Sequence, residues 1–352
     1  MSLSSNPVPI LSVRDLVVEV ATTNGPVRIV DRVSFDIQTG EVFGIVGESG
    51  SGKSITMLAV MGLLTGRTRL AGGDVLLRGR SLTGMSREEL RQIRGRHLSM
   101  IFQDPMTSLN PVLRVGDQIA EILNIHRPDM TRAAVRDRVI ELLGLVGVPS
   151  PERRYRQYPH EYSGGMRQRA MIAMAIANDP DILIADEPTT ALDVTIQAQV
   201  MELLLAVRTR TKAAMILITH DLGLVAESAD RVAVMYGGRL MEEGPVDEIF
   251  SRPGHPYTVG LMASRPRLDV APEFLYSIPG QPPGLTNRPT GCVFNPRCGL
   301  RNGRDICTTS VPPFDPVGRA HGAACHFWRE THGWIGEVGA VVHDATRVRE
   351  PL

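Results

Sequence analysis

A short apolar run, residues 42–46, leads directly into Gly47-Glu48-Ser49-Gly50-Ser51-Gly52-Lys53-Ser54, and a helix-forming stretch follows over residues 55–64. Glycine, four residues, then Gly-Lys-Ser between a strand and a helix leaves little freedom of fold or of ligand. The glycines let backbone N–H groups turn inward around an anion, and the helix N-terminus adds a fixed partial positive charge. The spacing therefore predicts a loop for the phosphates of a nucleotide, formed by Gly47, Ser49, Gly50, Gly52, Lys53, Ser54 and Ile55. The Lys53 ammonium is expected on the phosphates and the Ser54 hydroxyl on Mg2+. A glycine-rich turn with a chance lysine is the plain alternative. Composition weakens it: of 38 Lys and Arg residues, only Lys53 and Lys212 are lysines.

Further apolar runs at 98–102, 182–185, 215–219 and 232–236 show little polar alternation and read as strands buried on both faces. Helix-like stretches lie between them, such as 194–207, so the class is α/β with a parallel sheet. Residues 17–20, 27–30 and 33–37 alternate apolar and polar and predict an antiparallel β layer. Helical patterns at 115–125, 132–146 and 167–176 predict a helical subdomain inserted into the sheet domain. The strand at 182–185 runs into Asp186-Glu187-Pro188. A strand end beside a phosphate loop is where ligands sit in such sheets. Asp186 is expected to hold Mg2+ and Glu187 to polarise an attacking water. A solvated acidic turn is the alternative for this pair taken alone.

Past residue 250 the texture changes. Twelve of the 25 prolines fall between Pro253 and Pro316, which forbids long helices and central strands. Such a region has little core and needs a staple. All four cysteines lie there, Cys292, Cys298, Cys307 and Cys325, with 5, 8 and 17 residues between them. Zinc sites usually pair cysteines at closer spacing, whereas four thiolates at irregular spacing can hold a 4Fe–4S cluster; zinc and an unmetallated set stay open. Basic and acidic residues number 38 each, a net charge of 0 that leaves no nucleic-acid footprint and no polybasic membrane anchor. No apolar run approaches the roughly 18 residues of a membrane span, and the first residues lack a secretory pattern. A soluble chain is expected, with any membrane role reached through a partner.

Tyr162-Ser163-Gly164-Gly165-Met166-Arg167-Gln168-Arg169 resembles the signature motif of ATP-binding cassette (ABC) ATPases, and it lies between the phosphate loop and the acidic strand in that family's order. Gln103 resembles the glutamine-loop residue, Ala191-Leu192-Asp193 the D-loop, and His220 the switch histidine. The resemblance covers about residues 8–250. It implies the P-loop NTPase fold of the ABC ATPases and ATP hydrolysis, with Glu187, His220 and Gln103 in catalysis. It also places Gln103 with Ser54 and Asp186 at Mg2+, and Ser163, Gly164, Gly165 and Asp193 at ATP. Ser163 can cap a helix beginning near Gly164, where two glycines let a phosphate approach bare N–H groups. In the family this surface serves ATP held by the other subunit of a dimer.

Residues 103–111 resemble the glutamine loop of the oligopeptide/dipeptide importer ATPases, as do Tyr158-Pro159-His160-Glu161 and Met166. His255-Pro256-Tyr257-Thr258, Ile278-Pro279-Gly280 and the stretch 291–298 resemble the C-terminal domain of that branch. The implied division is an ATPase domain over 1–250 with a helical subdomain at about 104–175, a C-terminal domain over 251–330 and a tail over 331–352. The implied partners are a second ABC ATPase, favoured as a different chain, two transmembrane permeases and an extracytoplasmic substrate-binding protein, with no nucleic acid. The implied place is the cytoplasmic face of a bacterial plasma membrane. ATP, Mg2+ and the 4Fe–4S cluster that some members carry are the implied cofactors, with zinc the alternative. Di- and oligopeptides are the expected cargo, although nickel, glutathione and oligosaccharide importers share the branch. A soluble DNA-repair ABC ATPase is disfavoured by the short span of about 110 residues between Lys53 and Ser163 and by the zero net charge. A non-catalytic module is disfavoured by Glu187 and His220. One position departs from the family: Val20 stands where an aromatic usually stacks on adenine.

Overall fold

The computed structural model describes residues 8–104, 108–190, 194–264, 276–284 and 286–331. Its strands are β1 (Leu11–Thr22), β2 (Gly25–Ile37), β3 (Val42–Val46), β4 (Thr68–Leu77), β5 (Arg80–Ser81), β6 (Leu98–Ile101), β7 (Ile182–Asp186), β8 (Ala214–Thr219), β9 (Arg231–Tyr236), β10 (Arg239–Pro245), β11 (Asp315–Gly318) and β12 (His321–Ala323). Its helices are α1 (Lys53–Val60), α2 (Arg87–Ile93), α3 (Val115–His126), α4 (Arg132–Leu145), α5 (Pro151–Arg154), α6 (Gly164–Ala175), α7 (Val194–Thr211), α8 (Leu222–Ser228), α9 (Val246–Ser251), α10 (Pro256–Ala263) and α11 (Ile306–Thr309). They form two compact units, one from residues within 8–11, 37–42 and 76–218, the other from residues within 12–36, 43–75 and 219–331.

In the first unit β6, β7 and β8 lie parallel, with Leu98 opposite Ile182 and Asp186 opposite Ile218. Every residue of β7 and β8 is buried, as their unbroken apolar runs require. Between β6 and β7 the chain is helical. On α3, Val115, Ile119 and Leu123 recur every four residues and are buried; on α4, the buried Val135, Val139, Leu142 and Leu143 fall at spacings of three and four that share one helix face. Thr131 starts α4 by accepting the Ala134 N–H. The helices predicted at 115–125, 132–146 and 167–176 thus stand as α3, α4 and α6.

In the second unit a tight turn joins β1 to β2, so the two run antiparallel, and β4 lies on the other side of β1. The separate runs predicted at 27–30 and 33–37 are one strand, β2, carried through Arg32 at φ +53°. The other sheet of this unit follows the order β11-β12-β10-β9-β3, with β3 parallel to β9 and the remaining pairs antiparallel. Helix α1 stops before the predicted Leu64. Gly62 adopts φ +61°, and the Leu63 N–H reaches back to the Leu58 carbonyl, closing the helix despite the apolar residues that follow.

The proline-rich region contributes short pieces: α10 begins with Pro256 at its first position, and β11 and β12 are four and three residues long. A buried acid fastens them. Glu242 on β10 is 0% exposed and accepts the N–H groups of Gly254 and His255, at 2.5 and 3.1 Å, and the Thr258 hydroxyl. His321 on β12 places its Nε2 2.8 Å from the same carboxylate. Removing this acceptor strands four polar groups in the interior, so Glu242→Ala is expected to lower stability by about 3 kcal/mol or more. Urea unfolding of the purified chain, followed by circular dichroism, checks this.

Candidate functional site

The phosphate loop lies in the second unit. Strand β3 is buried throughout and delivers the chain to Gly47, whose φ is +151°. A Cβ on Gly47 would stand 2.1 Å from the Met235 carbonyl oxygen, so no other residue fits. Gly50 and Gly52 also have positive φ, +76° and +103°, and Gly52 is the residue that leads into α1. The N-terminus of such a helix carries a partial positive charge that favours an anion. Lys53 is buried, and its Nζ donates to the carbonyls of Gly47 and Glu48 at 2.7 and 3.0 Å. Ser49 and Gly50 at the tip are exposed, while Ser54 and Ile55 are half-buried on the first turn of α1. Val20 is half-buried on β1, and His220, just beyond β8, is exposed.

Glu48 is held by residues that sequence reasoning left without a role. Its N–H donates to the Tyr257 hydroxyl at 2.8 Å, and its carboxylate meets Arg297 in a two-bonded pair of 2.6 and 3.0 Å. Arg297 sits in a 3-10 turn, Asn295–Arg297, and its side chain is 5% exposed. Burial alone would lower its pKa; Glu48 and Tyr236 outweigh that and hold it above the usual arginine value. Tyr236, Tyr257 and Phe294 pack as a ring cluster with centroids 4.6 to 5.3 Å apart. Nothing local in the sequence signals the contact, because 249 residues separate Arg297 from Glu48.

The acidic strand and the signature segment lie in the first unit. Asp186 ends β7 and is buried, and Glu187 follows with φ +46°, a conformation that costs a non-glycine residue energy. The Glu187 N–H donates to the Ile218 carbonyl at 2.9 Å, which fixes that turn. Its carboxylate accepts from Gln103 Nε2 at 2.9 Å and from the Thr190 hydroxyl at 2.8 Å. Gln103 and Glu187, 84 residues apart, are thereby brought together. Ser163 caps α6 by accepting the Met166 N–H at 3.3 Å, as its sequence position predicts. A Cβ built on Gly164 meets nothing within 4 Å, and one on Gly165 only an Ile196 methyl at 3.8 Å. The fold itself does not require glycine at either position. Gln168 is buried on α6 and donates to the Pro188 carbonyl at 2.8 Å, tying the signature helix to the segment after Glu187. The predicted D-loop, Ala191 to Asp193, and residues 105–107 of the glutamine loop lie outside the described residues.

The four cysteines line one pocket together with His255, Asn295, Arg301, His326 and Phe327. Burial raises all four thiols, Cys298 and Cys325 to about 12, and repulsion from neighbouring thiols adds to the rise at Cys292, Cys298 and Cys325. The Phe327 N–H points to Cys325 Sγ at 3.4 Å. Among the described residues, no group of three or more His, Cys, Asp or Glu is arranged to hold a metal ion. Convergence on a pocket is present, then, without a preformed ligand set. Nor is any helix among the described residues long and apolar enough to cross a membrane.

The family described as ABC transporter matches residues 30–190, and the one described as oligopeptide/dipeptide transporter, C-terminal region, matches residues 241–307. The chain is 53% identical over 293 residues to the dipeptide transport ATP-binding protein of Bacillus subtilis, covering 83% of this chain and 87% of that one. It is 48% identical over 316 residues to the oligopeptide transport ATP-binding protein of Escherichia coli, covering 90% and 92%. Among solved structures, a dimeric ATP-binding cassette in a post-hydrolysis state bound to ADP and Pi matches with a TM-score of 0.61 at 26% identity, over 67% of this chain and 98% of that one. A cassette from Clostridium perfringens, part of an ABC transporter complex, matches with a TM-score of 0.58 at 28% identity, over 69% and 91%.

The His255 ring carries a pH dependence into the site. Burial lowers its pKa to about 3, and its Nδ1 accepts the N–H of Tyr257, the residue that holds Glu48. Below the ordinary histidine range the unfolded chain takes a proton that the folded chain refuses, so this stability is present above about pH 6.5 and is lost as pH falls toward 3. The urea midpoint is expected to fall between pH 7 and pH 5. It should fall less in His255→Asn, whose amide oxygen accepts the Tyr257 N–H without titrating.

Proposed function

We propose, from the premise that this chain belongs to the ABC transporter ATPases and carries the oligopeptide/dipeptide transporter C-terminal region, that it binds and hydrolyses ATP to drive peptide import through membrane permeases. The observation that carries the catalytic reading is the Gln103–Glu187 contact one residue beyond the buried Asp186. It pairs a carboxylate with the amide that orients it, on a backbone turn held under strain. Gly47, Ser49, Gly50, Gly52, Lys53, Ser54 and Ile55 cradle the phosphates, with Lys53 exchanging the carbonyls it now caps for phosphate oxygens. Ser54, Asp186 and Gln103 are the residues that would hold Mg2+, which when bound neutralises charge on the phosphates. Glu187 accepts a proton from the attacking water as its oxygen bonds to the γ-phosphorus and the bond to the ADP oxygen breaks. His220 and Asp193 complete the catalytic set.

Ser163, Gly164 and Gly165 serve a second ATPase subunit, read as a different chain. Support comes from the two glycines: neither is needed for packing, so their bare N–H groups suit a ligand from outside the chain. The segment after Gln103 exposes Val112 and Leu113, 74% and 41%, as a surface for a permease subunit. Division into an ATPase domain over 1–250 with a helical part at about 104–175, a C-terminal domain over 251–330 and a tail over 331–352 accords with this reading. So do an extracytoplasmic substrate-binding protein as a further partner and a peripheral position on the cytoplasmic face of the plasma membrane.

For the cysteine-lined pocket the reading is a 4Fe–4S cluster with a structural role. Its support is an all-thiol donor set, in which the buried Cys292, Cys307 and Cys325 and the half-buried Cys298 line one pocket. Cys292, Cys298, Cys307 and Cys325 would ionise on loading, since buried neutral thiols do not ligate.

In the assembled transporter, Glu187→Gln is expected to retain ATP binding and lose hydrolysis by a factor of about 100 or more. Lys53→Ala is expected to lose binding itself. Hydrolysis at the normal rate in either variant overturns the mechanism. Anaerobically purified protein should contain iron and sulfide and absorb near 400 nm, roughly where Fe–S clusters do; zinc or no metal by elemental analysis rejects the cluster.

A further inference from the structure

Glu48 is the second residue of the phosphate loop and brings a negative charge into a segment built to hold anions. It is restrained at three points: the N–H by Tyr257, the carbonyl by Lys53 and the carboxylate by Arg297. Two of the three restraints come from beyond residue 250. A guanidinium has five N–H donors, and those of Arg297 have five acceptors. Nε donates to the Pro279 carbonyl at 2.9 Å; Nη1 to Glu48 at 2.6 Å and the Tyr236 hydroxyl at 3.2 Å; Nη2 to Glu48 at 3.0 Å and the Ile278 carbonyl at 3.2 Å. A surface ion pair adds little to stability and leaves donors to water. This arginine is buried and satisfied on every N–H, so its direction is set by the surrounding structure and not by solvent.

We propose that Arg297 is a positioning residue for nucleotide binding: it draws the Glu48 carboxylate out of the phosphate site and neutralises it, so that ATP affinity depends on the C-terminal region. This rests on the ATP-binding reading above. Without Arg297, a free carboxylate one residue from Gly47 repels the phosphates and the loop loses its fixed shape. The Tyr257 hydroxyl supports the same position through the Glu48 N–H. Lysine cannot replace Arg297, since an ammonium has three donors and no planar fork.

The test is the Kd for MgATP of the full chain, measured by calorimetry. Arg297→Met is expected to raise it about tenfold, the scale of one uncompensated charge close to the phosphates. That loss should shrink as salt is added, because the repulsion it exposes is screened. Glu48→Gln is expected to lower the Kd, and Glu48→Gln combined with Arg297→Met to return it to within about threefold of the unaltered chain, a range smaller than one charge contact. Arg297→Lys should recover only part of the loss. Equal weakening by Glu48→Gln and Arg297→Met, or additive effects in the double variant, overturns the proposal. So does an unchanged Kd in Arg297→Met. If Arg297→Met does not fold, the sign of the Glu48→Gln effect and the partial recovery by Arg297→Lys decide. Lys53→Ala separates the two readings: binding that ignores Lys53 defeats ATP binding at this loop, whereas Lys53-dependent binding with no Arg297 effect defeats this inference alone.

Discussion

The constraint on which the phosphate loop depends is the passage of Gly47 beside Met235, where even a methyl group would collide with a backbone carbonyl. That passage turns the carbonyls of Gly47 and Glu48 toward Lys53. A buried ammonium needs such acceptors in place of water. The loop is therefore held in shape by its own lysine. Strand β3, helix α1 and the glycine conformations between them all serve this one arrangement.

Two acids, the buried Glu242 and the half-buried Glu48, join the proline-rich region to the rest of its unit. Glu242 collects α10, the residues before it and β12, while Glu48 reaches Tyr257 and Arg297. A short loop-rich segment cannot stabilise itself by apolar burial alone. Here it draws on ionic and hydrogen-bonded contacts to strands that already exist, and on the ring cluster of Tyr236, Tyr257 and Phe294. Cys298 directly follows Arg297, so the pocket lined by the cysteines and the phosphate loop share one short stretch of backbone.

In the other unit, strain and permissiveness mark function more than packing does. Glu187 sits in the left-handed region, where a polar side chain is tolerated only because Ile218, Gln103 and Thr190 hold it. Gly164 and Gly165 are the reverse case: a Cβ at either would clash with nothing, so no neighbour demands glycine there. Both features fit groups placed for a ligand at the expense of local preference.

Strands β3, β7, β8 and β9 were legible because each is a continuous apolar run, and α3, α4 and α6 because their patterns recur at helical spacing. Strands β10 and β12 were not, since Glu242, Gly244 and His321 carry no strand pattern and owe their place to pairing with a neighbour. The end of α1 was misplaced because Leu63 and Leu64 look helical while Gly62 stops the helix through its backbone. By itself the sequence determined the chemistry of the phosphate loop, because glycine, lysine and serine act there within a few residues of one another. Only the tertiary structure decided what Glu48 does, because its charge is answered by an arginine 249 residues away, and no local period encodes a contact closed over that length.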